Sequence, residues 1–190
     1  MWLQAVLLLT SCAPLALAIF ADEVNHVDFH HALLGKPSAP TTFFHRPSSS
    51  SNASLLYTLS DKSFLGAVNP KDGSIVWRQN LARWSSDATA VRPFLRAGDG
   101  QNTIVSALGG CVSSWGALDG KLSWMRHFGN GPVRDLELLE HEGSNSLDVI
   151  TLAGDKTGII RRLDGDSGSI KWGFQDERLH SRLRSIVKPH

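Results

Sequence analysis

The chain alternates short apolar runs with clusters of Gly, Asp, Asn and Ser, a pattern typical of short β-strands separated by turns. Three stretches share one frame, in which a glycine is followed two positions later by an aliphatic residue and two after that by a tryptophan. They read NPKDGSIVW (69–77), GALDGKLSW (116–124) and DGDSGSIKW (164–172). The sequence therefore contains a repeat of about 47 residues.

Each copy of this frame predicts a hairpin turn that leads into a strand. The glycine supplies the positive φ of the turn, and a period of two places the aliphatic residue and the tryptophan on one strand face. Burial of the tryptophan between neighbouring sheets is the expected role. The predicted structural positions are Gly73, Ile75 and Trp77, then Gly120, Leu122 and Trp124, then Gly168, Ile170 and Trp172.

Three further strand-like runs precede each turn, so every repeat holds four short strands. Four strands at this pitch predict the blade of a β-propeller. The expected fold is all-β, a partial β-propeller of about three to four four-stranded blades, with blades near 40–81, 88–128 and 133–175 and the next starting at 183. Because three blades do not close a ring, the pattern favours the N-terminal fragment of a larger propeller or a truncated gene product.

The first 18 residues differ from the rest, because they carry no charged side chain and end in Ala-Leu-Ala. We interpret residues 1–18 as a secretory signal peptide cleaved after Ala18. A signal anchor is the alternative, although Pro14 interrupts the segment. The stretch that ends at Cys12 also resembles a bacterial lipobox, in which that cysteine would be lipidated.

The remaining chemistry-bearing residues are few. A formal charge of +1 predicts no basic face and no nucleic-acid partner. Cys111 is the one thiol outside the leader, and a buried hydrophobic role is expected for it. A histidine group lacks ligands to complete a metal site, and no metal or cofactor is expected. That group is His26, His30 and His31.

Asn52 opens the sequence Asn-Ala-Ser within a serine-rich stretch between two predicted strands. In a secreted chain this pattern is an acceptor for N-linked glycosylation, and an exposed loop would make it accessible. We expect Asn52 to be glycosylated.

Ser167 lies in Gly-Asp-Ser-Gly, which resembles the surroundings of the nucleophile in chymotrypsin-like proteases. The repeat gives another interpretation, because Gly168 aligns with Gly120 and places Ser167 where the second repeat has Asp119. Asp and Ser both favour turns through their short polar side chains. Ser167 is therefore predicted to be a turn residue without a catalytic role.

The repeat resembles that of pyrroloquinoline-quinone-type propellers, whose fuller form is Ala-x-Asp-x-x-x-Gly-x-x-x-Trp. The first repeat matches with Ala67, Asn69, Gly73 and Trp77. The second repeat departs with Ser114 and Gly116, and the third has Arg162 in place of the alanine but keeps Asp164. The class includes quinone-dependent dehydrogenases, bacterial envelope assembly lipoproteins and luminal domains of stress sensors of the endoplasmic reticulum (ER).

Within this class the chain is most similar to the family of the large subunit 1 of the ER membrane protein complex. The N-terminal run carries the similarity, with an acidic pair and valine at 22–24, Asp28-Phe29 and Gly35-Lys36, and Trp77-Arg78 follows the first turn. The resemblance implies a luminal scaffold without catalytic activity, in a complex that supports insertion and folding of multipass and tail-anchored membrane proteins.

That resemblance also sets the expected partners and location. They are the other subunits of the complex and membrane-protein clients, with no small-molecule substrate, on the luminal side of the ER membrane. The family's membrane anchor is not expected within this sequence. A quinone-dependent dehydrogenase is the alternative, but it would need a closed ring with Ca²⁺ ligands and an Asp general base. A bacterial envelope assembly lipoprotein is the third interpretation.

Overall fold

The computed structural model describes residues 33–48, 54–84, 92–140, 146–154 and 158–176, which form twelve β-strands and one short 3₁₀ helix. The first four strands are β1 (Pro37–His45), β2 (Leu55–Ser60), β3 (Phe64–Val68) and β4 (Ile75–Asn80). The helix η1 (Leu81–Arg83) follows, and then β5 (Phe94–Ala97), β6 (Thr103–Leu108), β7 (Cys111–Gly116) and β8 (Leu122–His127). The last four are β9 (Val133–Leu139), β10 (Asp148–Ala153), β11 (Gly158–Leu163) and β12 (Ile170–Asp176).

These strands form three antiparallel sheets of four strands each, and neighbours in sequence are neighbours in every sheet. We call them the first sheet (β1–β4), the second sheet (β5–β8) and the third sheet (β9–β12). The opening strand of the second sheet, β5, contacts both β1 and β9, so neighbouring sheets meet along their first strands. This is the radial arrangement of propeller blades. The prediction of an all-β partial β-propeller is confirmed.

Two apolar clusters hold the sheets together, one in each interface between neighbouring sheets. The cluster between the first and second sheets includes Tyr57, Trp77 and Trp115. The cluster between the second and third sheets includes Trp124 and Leu136. Each sheet therefore buries apolar side chains against the next sheet along the chain, as repeat architectures do.

A β-bulge recurs at the start of the fourth strand in every sheet. In the first sheet Ile75 pairs with Val68, whereas Trp77 pairs with Ala67. Residues paired across neighbouring strands project from the same face of the sheet. Val68 and Ala67 are adjacent on β3 and therefore project from opposite faces, so their partners Ile75 and Trp77 do the same. The expectation that the aliphatic residue and the tryptophan share one face is wrong, because the extra residue in the bulge shifts the alternation.

Several expected features lie outside the described residues. They are the leader at 1–18 with Cys12, the histidine group, Asn52 and the start of a fourth blade at 183. Within the part of the chain that is described, no helix is long and apolar enough to cross a membrane.

Candidate functional site

The candidate functional site is the interface between neighbouring sheets, which we call a seam. The first seam joins the first and second sheets, and the second seam joins the second and third sheets. Each seam is built from a tryptophan on the fourth strand of one sheet and from the turn before the fourth strand of the next sheet. The repeat therefore places a matching contact at both seams.

The turns have the same backbone geometry in all three sheets. Gly73, Gly120 and Gly168 have φ of 69°, 65° and 66°, a region that side chains with a Cβ avoid. Each glycine N–H donates to the carbonyl four residues earlier at 2.8 Å. The turn therefore closes on itself through its backbone and leaves other carbonyls available to the neighbouring sheet.

In the first seam the Trp77 ring lies directly on Gly120. A Cβ added to Gly120 would lie 2.5 Å from Cδ2 of Trp77, closer than any side chain can approach. The indole Nε1 of Trp77 donates to the carbonyl of Ala117 at 2.7 Å, and Gln79 Nε2 donates to the carbonyl of Gly120 at 2.9 Å. The hydroxyl of Tyr57 also donates to Ala117, at 3.0 Å. The glycine is thus required for contact as well as for φ.

The second seam repeats this arrangement one sheet further on. Trp124 lies on Gly168, where an added Cβ would lie 2.5 Å from the ring carbon Cε3. Its Nε1 donates to the carbonyl of Gly165 at 2.7 Å. Arg126 takes the role of Gln79, because its Nε donates to the Gly168 carbonyl at 3.0 Å and its Nη2 donates to that of Ser167 at 3.2 Å.

The third sheet presents the same tryptophan without a neighbour in the described residues. Trp172 is 46% exposed, whereas Trp77 and Trp124 are 7% and 6% exposed. Phe174 stands where Gln79 and Arg126 stand in the other sheets, and it is 55% exposed. Trp172 and Phe174 lie on the same face of β12, and we call this exposed apolar surface the free face; Ile170, beyond the bulge, is exposed on the opposite face.

Ser167 is held inside its own turn. Its backbone N–H and its hydroxyl both donate to Oδ1 of Asp164, at 2.9 and 2.8 Å, and the hydroxyl also contacts Oγ of Ser169 at 3.0 Å. These bonds, together with one from Lys171, lower the pKa of Asp164 from 3.8 to about 2. They are the bonds of a polar turn, and they use the serine hydroxyl as a donor to a carboxylate.

An ion cluster in the third sheet surrounds Asp148, whose side chain is almost fully buried. Arg162 donates to Oδ2 of Asp148 at 2.6 Å, and Lys171 Nζ bonds its two oxygens at 2.8 and 3.0 Å. Lys171 also pairs with Asp164 at 3.1 Å. Burial alone would raise the pKa of Asp148, but hydrogen bonds from Lys171 and Arg162 lower it overall. Arg162, at the alanine position of the repeat, thus neutralises a buried carboxylate.

The buried thiol has no reactive surroundings. Burial raises the pKa of Cys111 to about 11, so the thiolate that a nucleophile or a metal ligand needs is disfavoured. Within the described ranges no three His, Cys, Asp or Glu side chains come together in a way that could hold a metal ion.

No sequence pattern predicts the acceptor side of the seams. The carbonyls of Ala117 and Gly165 receive the tryptophan N–H groups, and no side-chain pattern marks them. Gln79 and Arg126 both follow the tryptophan by two residues, and both side chains can donate a hydrogen bond. This shared property is the sequence signal that could have predicted a carbonyl acceptor on the next sheet.

Four-stranded antiparallel sheets joined by tryptophan-to-turn seams define a propeller repeat protein. The sequence matches the model of a family described as the EMC1 N-terminal beta-propeller domain over residues 18–189. The chain belongs to this family.

Solved structures share the architecture at low identity. BamB from Moraxella catarrhalis is 18% identical with a TM-score of 0.43, and the match covers 68% of this chain and 35% of BamB. The quinohemoprotein alcohol dehydrogenase ADHIIG from Pseudomonas putida HK5 is 13% identical with a TM-score of 0.48, covering 74% of this chain and 23% of the dehydrogenase. The chain thus spans about a third or less of these two proteins, and similarity at this level assigns no activity.

Proposed function

We propose that this chain is a non-catalytic luminal scaffold part of the ER membrane protein complex, which supports insertion and folding of multipass and tail-anchored membrane proteins. The observation that carries the proposal is membership of the EMC1 N-terminal propeller family over residues 18–189. Its proposed partners are the other subunits of the complex and membrane-protein clients.

The seams support a scaffolding role rather than a chemical one. The polar groups of the turns at Gly120 and Gly168 are used in hydrogen bonds between sheets. A rigid array of this kind presents loops at fixed spacing along its rims, which suits contact with several proteins at once. Catalytic groups, in contrast, need free acceptors or donors that face a substrate.

The free face supports the proposal that these three sheets belong to a larger propeller. Trp172 keeps the spacing of Trp77 and Trp124 from their turns, and those two rings are covered by the next sheet. Burying a tryptophan ring removes about 150–250 Å² from water, so a following sheet would gain substantial stability on this face. We infer that a fourth blade packs there in the whole protein.

Entry into the ER is proposed to depend on residues 1–18 as a cleaved signal peptide, with Asn52 glycosylated in the lumen. Expression in eukaryotic cells should give a product that begins after Ala18 and loses mass on glycosidase treatment. Asn52→Gln is the matched control and should abolish the shift. An unprocessed N-terminus, or no shift in the unaltered chain, would contradict this part of the proposal.

Affinity purification tests the scaffold role. The natural full-length protein that contains this chain should be tagged and purified from detergent-solubilised ER membranes, and we expect recovery of a stable complex of several membrane proteins in fixed ratio. A variant with Gly120→Arg, which disrupts the first seam, should lose that complex. Recovery of the intact protein without partners, or quinone-dependent oxidation of alcohols by the pure protein, would overturn the proposal.

A further inference from the structure

The loop between β8 and β9 contains the one Asn-Gly pair in the sequence, Asn130-Gly131. Asn130 is exposed, and Gly131 has a φ of 102°. A glycine after asparagine leaves the backbone nitrogen unshielded, because no Cβ stands beside it. This pair is therefore open to attack of the backbone nitrogen on the side-chain amide, the first step of asparagine deamidation.

An arginine from the neighbouring sheet holds this amide. Arg161 on β11 donates from Nη2 to Oδ1 of Asn130 at 3.0 Å, and its guanidinium carbon lies 4.5 Å from the centre of the Phe128 ring. A cationic donor on the amide oxygen draws electron density from Cγ and stabilises negative charge on that oxygen during attack. The contact thus favours reaction at Asn130.

Among the residues that the structure describes, the same arginine has no negatively charged partner. Arg161 is 8% exposed, and its Nη1 is buried without a hydrogen-bond partner among the described residues. Its acceptor is the neutral amide, and burial lowers the pKa of Arg161. In the other sheets this position holds small residues, Gly66 and Ser113, which carry no charge. A buried cation of this kind gains stability from a carboxylate within reach.

We propose that Asn130 is a deamidation site promoted by Arg161, and that its conversion to aspartate creates an ion pair across the second seam. The Gly131 nitrogen bonds to Cγ of Asn130 and loses its proton, and the amide nitrogen leaves as ammonia. Water then opens the succinimide to aspartate or isoaspartate. No oxidant or cofactor takes part. The aspartate form places a carboxylate oxygen where Oδ1 now accepts from Arg161.

Peptide mapping by mass spectrometry tests the conversion. The whole chain, secreted from eukaryotic cells, should be aged at neutral pH and physiological temperature, with Asn102 as the internal reference because β-branched Thr103 follows it. We expect Asn130 to convert many-fold faster than Asn102, and several-fold more slowly in Arg161→Lys, whose shorter side chain does not extend as far as the Nη2 that now donates to Oδ1. Equal rates in the unaltered chain and in Arg161→Lys would overturn the proposal.

Thermal unfolding tests the ion pair without altering the arginine. Asn130→Asp should melt at a higher temperature than the unaltered chain, and this gain should shrink in high salt. Asn130→Gln, which keeps a neutral amide, should show no such salt-dependent gain. If Asn130→Asp melts at or below the temperature of Asn130→Gln at low salt, the carboxylate does not pair with Arg161 and the second half of the proposal fails.

Discussion

At the scale of single residues, the turn glycines of the seams satisfy two separate requirements: first a positive φ, and second the absence of a Cβ where the neighbouring ring lies. Gly120 adopts a φ of 65°, and the Trp77 ring occupies the space that a Cβ would need. Gly100 satisfies the first requirement alone, because its φ is 67° and nothing lies within 4 Å of an added Cβ. The two positions therefore separate backbone strain from loss of contact.

We predict that Gly100→Ala lowers the free energy of unfolding by about 1–2 kcal/mol, the cost of left-handed backbone for alanine. Gly120→Ala should cost a further ~1–3 kcal/mol, because the methyl group displaces the Trp77 ring. Urea titration followed by tryptophan fluorescence measures both. Equal costs for the two variants would show that the ring moves aside without loss.

The sequence was sufficient to locate these glycines and tryptophans, because their period reflects contacts within one hairpin. The partners of the tryptophans were not predictable, since a ring on one repeat meets backbone carbonyls about 40 residues later. The role of Arg162 was missed for the same reason. Its partner Asp148 lies on another strand, and no local pattern joins the two residues.

At the scale of elements, the fourth strand of each sheet carries its tryptophan into a different environment. Trp124 on β8 is covered by the third sheet, whereas Trp172 on β12 is almost half exposed. Truncation costs more where the ring fills a packed interface and less where water can replace it. The two strands therefore provide a matched pair of sites.

Trp124→Ala is expected to lower the free energy of unfolding by about 3–5 kcal/mol, as for other buried aromatic residues. Trp172→Ala in the same chain should cost less than half as much, because its ring makes only part of those contacts. Thermal unfolding of both variants checks this. A cost at Trp172 as large as that at Trp124 would mean that another part of the chain covers the free face.

The turn before β12 makes the third sheet sensitive to acid. Bonds from Ser167 and Lys171 lower the pKa of Asp164 from 3.8 to about 2, so the folded state binds this proton more weakly than the unfolded state. The resulting stabilisation is complete above the ordinary pKa and is lost as the pH falls from about 4 to about 2.

Stability measured across this range should therefore fall more steeply in the unaltered chain than in Asp164→Asn, which has no carboxylate to protonate. Ser167→Ala, which keeps the Asp164 carboxylate but removes the hydroxyl that donates to it, should give a slope between the other two. Parallel curves for all three chains would show that Asp164 does not contribute.

The strand pattern predicted four strands per repeat, and the structure has them. It did not predict the bulge that separates Ile75 from Trp77, because a bulge is set by pairing between strands rather than by side-chain alternation. The strand pattern also did not predict the short helix η1. There Asn80 Oδ1 accepts a hydrogen bond from the backbone N–H of Ala82 and caps a single helical turn.

At the scale of the whole molecule, two seams join three sheets and leave apolar surface on the free face. Exposed apolar patches promote association in water, and β12 is an edge strand among the described strands, so its outer backbone groups have no strand partner among them. The order of the sheets was predictable because each repeat is local. The exposure of Trp172 was not, because it depends on neighbours beyond its own repeat.

We expect the isolated 190-residue chain to self-associate through the free face, and Phe174→Glu should shift it toward monomer in sedimentation velocity experiments. Val76→Glu introduces the same charge at an exposed apolar position on β4 and should have little effect. If both variants behave alike, or if the unaltered chain is monomeric at high concentration, this surface does not drive association.

The seams also have a direction. Trp77 and Trp124 each donate to a turn that is later in the chain, so in both seams the tryptophan precedes its acceptor. During synthesis an indole therefore stays without its acceptor until the ribosome has released most of the following repeat. We therefore expect assembly to proceed from the N-terminus, since each completed interface would fix the blade already made and leave the unprotected ring on the most recently made blade.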